Sequence, residues 1–217
     1  MRIGRGVAEP APSRVPEVCL AVYAVIWAAL AIRPSYREDW LLENLPVFVA
    51  VPVAILASRY WRFSRRSYIQ MTVFLVLHAI GAHYTYSEVP LGSWVSAALG
   101  AERNHYDRLV HFAFGVLLFR PVQELSFHRM GRPGRWAGAL LGISAIAALS
   151  VLYEVVEWLT AIVADPSAGT AFLGTQGDEW DAQKDMALAC FGAIVAAVAE
   201  AWSGRSSVRS DELRLLE

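Results

Sequence analysis

The amino-acid sequence predicts an all-α fold, a polytopic membrane helix bundle of six transmembrane helices with both termini in the cytoplasm. Composition is the first indication, because 56% of the 217 residues are hydrophobic and only 18% are charged, whereas about a quarter of the residues in soluble domains are charged. The second indication is a series of long apolar stretches, and the third is the placement of arginine between them. Helices are the expected form of these stretches, since a helix satisfies its own backbone in lipid.

The apolar stretches follow one another along the whole chain, at residues 17–32, 45–58, 67–82, 107–123, 136–163 and 183–202. A helix that crosses the membrane needs about 20 apolar residues, so the first two stretches are short. We expect the second helix to include the flanking residues 40–46, and a re-entrant hairpin is the alternative for this pair. A cleaved secretory signal is a further alternative for the first stretch, because arginines precede it and residues 29–31 resemble a cleavage site.

Arginine predicts the orientation of the bundle, since Lys and Arg close to helix ends are retained in the cytoplasm. Arginines are concentrated before the first stretch, between the second and third, between the fourth and fifth, and after the sixth. The connection 164–182 instead has no basic residue and carries several acidic ones. We therefore place a transmembrane domain at residues 15–203 between cytoplasmic tails at 1–14 and 204–217, and we expect both tails to be irregular.

Tryptophan gives an independent indication of where the helices end, because its ring prefers the level of the lipid headgroups. The tryptophans other than Trp27 lie near predicted helix ends on either side of the bilayer. Trp27 falls inside the first predicted helix. The aromatic residues thus agree with the orientation that arginine predicts.

Polar residues within the helices lie mostly toward the predicted outer ends. At a rise of 1.5 Å per residue, Glu154 lies about 27 Å above Trp136, close to the outer boundary of a hydrocarbon core about 30 Å thick. Ionisable groups at this depth are costly alone and usually face a protein interior or a wet cavity. Residues three or four positions apart share a helix face, and the pairs with this spacing are Asp107 with His111, Glu154 with Glu157, and Asp181 with Asp185.

We interpret these residues as an outward-facing pocket at the ends of helices 3 to 6 that binds or processes a lipid-linked or envelope headgroup. The candidate catalytic residues, which offer acid and base groups, are Asp107, His111, Glu154, Glu157, Asp181 and Asp185. The candidate headgroup-binding residues are His83, Tyr86, Arg103, Tyr106, Arg108, Gln176 and Lys184. A divalent metal ion is the candidate cofactor, since imidazole and carboxylate bind such ions, and its candidate ligands are His83, His111, Glu154 and Asp185.

Two other functions are open at this stage, and both keep the lipid bilayer as the environment, with no nucleic-acid partner. The first is a structural or scaffold membrane protein, in which the same carboxylates and histidines form a network that packs the helices. The second is a small transporter, which would need polar residues that continue toward the cytoplasm. Beyond His78 and Gln70 the inner halves of the helices hold few such groups, and we expect His78 to be a packing residue.

Several long strings carry a resemblance to a known family. They are residues 40–43 (WLLE), 83–92 (HYTYSEVPLG), 103–108 (RNHYDR), 153–158 (YEVVEW) and 170–186 (TAFLGTQGDEWDAQKDM). These strings resemble the YjdF-like family of bacterial inner-membrane proteins. The resemblance implies a multi-pass protein of the bacterial inner (cytoplasmic) membrane, and it implies no reaction.

The order of acidic residues and histidine is also similar, more distantly, to that of VanZ-like membrane proteins, a family linked to glycopeptide-antibiotic resistance. In that pattern an Asp and a His begin one helix, a Glu lies in the next, and an Asp leads into the last. The matching positions here are Asp107, His111, Glu154 or Glu157, and Asp181 or Asp185. Residues 83–92 and 172–178 depart from the pattern, so this similarity implies no shared activity.

Overall fold

The computed structural model describes residues 14–130, 134–163 and 175–214, and these ranges are mostly helical. The long helices are α1 (Val15–Leu30), α2 (Arg37–Ala57), α3 (Arg65–Tyr84), α5 (Tyr106–Met130), α6 (Arg135–Val163) and α7 (Asp181–Arg214). Between α3 and α5 lie a short helical turn (Tyr86–Glu88) and a short helix, α4 (Pro90–Leu99). Each predicted apolar stretch falls on one long helix, which confirms the all-α prediction.

The lengths and compositions of the helices agree with a membrane bundle. The segments Arg37–Leu56, Arg135–Val163 and Asp181–Trp202 are long and apolar enough to cross a membrane, and α1 is a shorter apolar helix. The second helix begins at Arg37, well ahead of its apolar stretch, and so includes residues 40–46 as expected. The chain is therefore a helical membrane bundle.

Two helical segments were not predicted from the sequence. The helix α4 begins with a proline at its first position and ends before Gly100, which has a φ of 65°; these are common start and stop signals of helices. The last helix continues to Arg214, so residues 204–214 are helical within the predicted C-terminal tail. Residues 1–13 of the predicted N-terminal tail and residues 164–174 of the acidic connection lie outside the described ranges.

The helix α5 lies at the centre of the bundle and packs against α3, α6 and α7. The contact with α7 is close, because a Cβ atom at Gly115 would overlap the carbonyl oxygen of Ala189. In the same way, a Cβ atom at Gly192 would overlap the carbonyl oxygen of Phe112. Small residues allow helix backbones to approach in membranes, so these glycines fix the distance between α5 and α7.

The helices α1, α2 and α3 form the other side of the bundle. Tyr23, Val47 and Ala79 are buried together there. The Trp27 indole Nε1 donates a hydrogen bond of 2.6 Å to Oδ1 of the buried Asn44. This bond gives Trp27 a partner inside the bundle, in the last turn of α1.

Candidate functional site

Four predicted site residues meet where the first turns of α5 and α7 pass the last part of α6. The His111 Nε2 atom lies 3.5 Å from Asp107 Oδ1 and 3.7 Å from Glu154 Oε1. Ligand-type atoms of Asp107, His111 and Asp185 all lie within 4.8 Å of one another. Asp185 is only 2% exposed. We refer to Asp107, His111, Glu154 and Asp185 as the acid–histidine cluster.

Two arginines border the acid–histidine cluster and form ion pairs with aspartates at the start of α7. The Arg103 Nη2 atom lies 2.6 Å from Asp181 Oδ1 and 3.9 Å from Asp107 Oδ2. The Arg108 Nη2 atom lies 2.5 Å from Asp178 Oδ2 and 3.5 Å from Asp181 Oδ1. The arginines thus contact mainly Asp178 and Asp181, whereas Asp107 receives only the longest of these contacts.

Asp178 precedes α7 and lies outside the membrane-spanning segments. Its carboxylate accepts hydrogen bonds from Lys184 Nζ at 2.6 and 2.8 Å and from the Trp180 N–H at 3.1 Å. The hydrogen bonds from Lys184, with smaller contributions from Trp180 and Arg108, lower the pKa of Asp178 to about 2. Lys184 and Arg108, both predicted to bind a headgroup, are therefore paired with Asp178.

The predicted headgroup-binding residue Gln176 connects the segment before α7 to the segment before α5. Its Oε1 atom accepts the Asn104 N–H at 2.9 Å, and its Nε2 atom donates to the Asn104 carbonyl at 3.1 Å. Arg103 Nη1 donates to the Thr175 carbonyl beside it. Gln176 therefore uses both ends of its amide to position the backbone that carries Arg103 and Asp107.

Glu43 of α2 also reaches this region, although it was not predicted as a site residue. It is 5% exposed, and its Oε2 atom accepts a hydrogen bond of 3.1 Å from the Tyr153 hydroxyl of α6. The predicted catalytic residue Glu157 lies close enough to Glu43 and Glu154 to interact electrostatically, and Glu43 lies similarly close to Asp107. One sequence signal could have found Glu43, because it is an acidic residue inside the range 40–46 that the second helix was expected to include.

His83 takes part in a different set of contacts. Among the described residues, the group of possible metal ligands comprises Asp107, His111 and Asp185 and includes neither His83 nor Glu154, two of the four predicted ligands. The His83 Nδ1 atom lies 2.6 Å from the Leu30 carbonyl oxygen, and the His83 carbonyl accepts the Ser35 N–H at 2.9 Å. His83 thus connects the end of α3 to the segment between α1 and α2.

Tyr86 and Tyr106, which were predicted to bind a headgroup, are buried and hydrogen-bonded within the bundle. The Tyr86 hydroxyl lies 2.6 Å from His78 Nδ1, and His78 Nε2 lies 3.0 Å from the Glu43 carbonyl oxygen. The Tyr106 hydroxyl donates to the Leu77 carbonyl at 2.8 Å. These contacts confirm that His78 is a packing residue, and they give the two tyrosines structural partners.

Two oxygens of the acid–histidine cluster are buried and, in the part of the chain that the structure describes, have no hydrogen-bond partner. They are Asp185 Oδ1 and Glu154 Oε1. A buried polar atom without a partner costs about 1 to 3 kcal/mol, so such an atom commonly indicates a bound ion, a water molecule or a catalytic role. Carboxylate and imidazole groups at this spacing can transfer protons or bind a divalent metal.

Comparisons with known proteins agree with the helical bundle. A family model described as a predicted membrane protein, DUF2238, matches residues 15–205, which include Glu43 and the whole acid–histidine cluster. The inner membrane protein YjdF of Escherichia coli strain K12 is 35% identical over 162 residues, which cover 75% of this chain and 77% of that protein. No solved structure matches the chain.

Proposed function

The chain belongs to the DUF2238 family of predicted membrane proteins, and from this premise we propose that its outward-facing pocket binds or processes the headgroup of a lipid-linked or envelope molecule. As in its relative, the location is the bacterial inner membrane. The observation that carries the proposal is the convergence of ionisable residues from α2, α5, α6 and α7 at one level of the bundle. Ionisable groups within membrane helices usually mark a functional site or a wet cavity.

The mixture of charges at this level suits a headgroup that contains phosphate. The guanidinium groups of Arg103 and Arg108 border the acid–histidine cluster, and such groups match phosphate oxygens in charge and geometry. The cluster itself has three carboxylates for one imidazole, so it suits a cationic group or a metal ion. A headgroup could therefore contact both parts of the pocket.

The packing beneath the cluster favours a closed pocket over a path through the membrane. Phe119, Ile146, Ala189 and Ala193 form a buried apolar core between α5, α6 and α7. This core lies on the side of the cluster that faces the other end of the bundle. A proton or ion path would need polar groups there, so the geometry supports binding at the outer end.

The proposal is tested by lipid retention. The full chain is placed in nanodiscs of phosphatidylethanolamine and phosphatidylglycerol with undecaprenyl phosphate as the probe of the lipid-linked class, and bound lipid is identified by native mass spectrometry. Wild type should retain one headgroup class in preference to the others, and Glu154→Gln should reduce that preference about tenfold through the loss of one charged contact. Arg120→Gln, which removes the ion pairs with Glu124 and Glu200 at the opposite end of α5, should leave the lipid preference unchanged.

A structural network is the second candidate function, and the internal pairing of Arg103 with Asp181 and of Gln176 with Asn104 favours it. In that case the lipids retained would be the same for the wild type and for the variants Glu154→Gln and Arg120→Gln. The Glu154 substitution would then change only the thermal stability. Identical profiles would reject the headgroup-binding function.

A further inference from the structure

We propose that the acid–histidine cluster binds one divalent metal ion through Asp107, His111 and Asp185, with Glu154 as the fourth ligand. The proposal rests on the proposed headgroup pocket and gives it a cofactor. It also changes the ligand set expected from the sequence, because Asp107 takes the place of His83.

The distances within the cluster are suitable for a metal site. Zinc binds histidine nitrogen and carboxylate oxygen at about 2.0 to 2.2 Å, so neighbouring ligand atoms around a tetrahedral ion lie about 3.4 Å apart. The His111 Nε2 atom already lies 3.5 Å from Asp107 and 3.7 Å from Glu154. The atoms of Asp107, His111 and Asp185 lie within 4.8 Å of one another, so shifts of these three side chains by about an ångström would bring them to the separations that a metal ion requires. Glu154 lies outside this group and joins it through its contact with His111.

The bonding of Asp185 is an independent indication that the cluster has a ligand. Its side chain is almost fully buried, and within the described ranges its Oδ1 atom has no hydrogen-bond partner. Asp178 and Asp181 have basic partners, namely Arg103, Arg108 and Lys184. Asp185 is instead directed toward His111 and Asp107, which indicates that a positive charge belongs between them.

The packing of α5 against α7 positions the ligands. The close contact between Gly115 and Ala189 lies one helical turn beyond His111 on α5 and one turn beyond Asp185 on α7. Because the side chain of Gly115 is absent, the two backbones approach there and bring the preceding turns together. Two ligands on α5 and one on α7 are thus held at a fixed separation by helices, which position ligands more rigidly than loops do.

The donor atoms indicate which metals fit and what the ion would bind. One imidazole with three carboxylates and no thiolate is a hard to intermediate ligand set, which suits Mn²⁺, Fe²⁺ or Zn²⁺. A divalent ion would balance part of the acidic charge, and an ion that takes five or six ligands, as Mn²⁺ and Fe²⁺ do, would have a position left for an anionic oxygen beside the four protein ligands. The headgroup class that this site would recognise is therefore a phosphate, which Arg103 and Arg108 could contact from the side.

The test measures metal binding to the full chain in nanodiscs. The protein is stripped with chelator, titrated separately with Mn²⁺ and Zn²⁺, desalted, and analysed for metal content. Wild type should retain about one ion per chain, and His111→Gln and Asp185→Asn should each lower the affinity by at least about tenfold, since even outer-shell changes have effects of that size. His83→Gln is the matched control and should bind as wild type does.

Thermal unfolding and gel filtration of each variant separate loss of the site from loss of the fold. Failure of folded wild type to retain either ion would overturn the metal site, and so would an equal loss in His83→Gln and Asp185→Asn. The lipid-retention measurement, repeated on the same samples, distinguishes the two proposals. Lipid preference without metal binding rejects the metal site alone, whereas metal binding without lipid preference supports the metal site and rejects the headgroup function.

Discussion

The two ends of the α5–α7 pair have charged residues in different balance. At the end predicted to face the cytoplasm, Arg120 lies 3.0 Å from Glu124 and 3.2 Å from Glu200, with side chains 28%, 21% and 30% exposed. At the other end, the acid–histidine cluster is more deeply buried and has three carboxylates for one imidazole. These ion pairs are partly exposed and each side chain has an opposite charge beside it, and ion pairs near the surface contribute about 1 kcal/mol or less, so the first end needs no functional explanation. The excess of buried carboxylates at the second end does need a functional explanation.

The largest effect should follow from widening the α5–α7 contact. A Cβ atom in Gly115→Ala would overlap the backbone of Ala189 and Ala193, so we expect the free energy of unfolding to fall by about 3 kcal/mol, with a parallel loss of metal affinity. Gly134→Ala is the control, because a Cβ atom there meets nothing within 4 Å. Thermal unfolding of both variants in detergent measures their stability, and the metal titration described above measures their affinity. Equal stability of the two variants would show that α5 and α7 are not held together as described.

A smaller loss should follow when the buried ion pair between Arg103 and Asp181 is broken. Arg103→Met leaves Asp181, which is buried, with Arg108 at 3.5 Å as its remaining basic contact of those described above. Removal of one partner of a buried pair costs about 3 to 5 kcal/mol when nothing replaces it, so we expect about 2 kcal/mol here. Chemical denaturation is the measurement, and a change below that of Arg120→Gln would contradict the burial of this pair.

The ion pair of Asp178 should appear in the pH dependence of stability. Its carboxyl has a pKa of about 2 in the folded protein, below the ordinary value of about 3.9. A lowered pKa adds stability that is fully present above about pH 4 and is lost as the pH falls toward 2. The difference in melting temperature between wild type and Asp178→Asn should therefore be largest near neutral pH and shrink below pH 4. A difference that stays constant with pH would exclude this ion pair.

The smallest effect belongs to the opposite end of the same helices. Arg120→Gln removes the contacts to Glu124 and Glu200, and we expect a loss of at most about 1 kcal/mol. Added salt should reduce the difference by a fraction only, because salt screens partly buried charges less than exposed ones. A loss as large as that of Arg103→Met would erase the distinction between the two ends.

The helices could be predicted from the sequence because each depends on local composition. The extension of α2 into residues 40–46 followed from the length that a membrane helix requires. The short helix α4 was missed although Pro90 and Gly100 are ordinary start and stop signals, since a ten-residue helix gives no spanning signal of its own.

The candidate site was predicted only in part, because spacing shows which residues share a helix face but not which faces meet. Asp107 with His111 could be paired from their separation of four residues, and Asp185 joins them through the packing of α5 against α7. The hydrogen bond between Tyr153 and Glu43 spans 110 residues, and no local pattern indicates it. His83 has the residue type of a ligand, but its position directs it to the Leu30 carbonyl.

The most direct test of a single outward-facing pocket is cysteine labelling in intact cells, in a background with Cys19→Ala and Cys190→Ala. Glu102→Cys and Glu179→Cys place one exposed thiol on each segment that leads into the cluster, and Arg66→Cys places one at the other end. A membrane-impermeant maleimide should label the first two from outside and Arg66→Cys only after permeabilisation. If Glu102→Cys and Glu179→Cys react from opposite sides of the membrane, Asp107 and Asp185 cannot share a pocket.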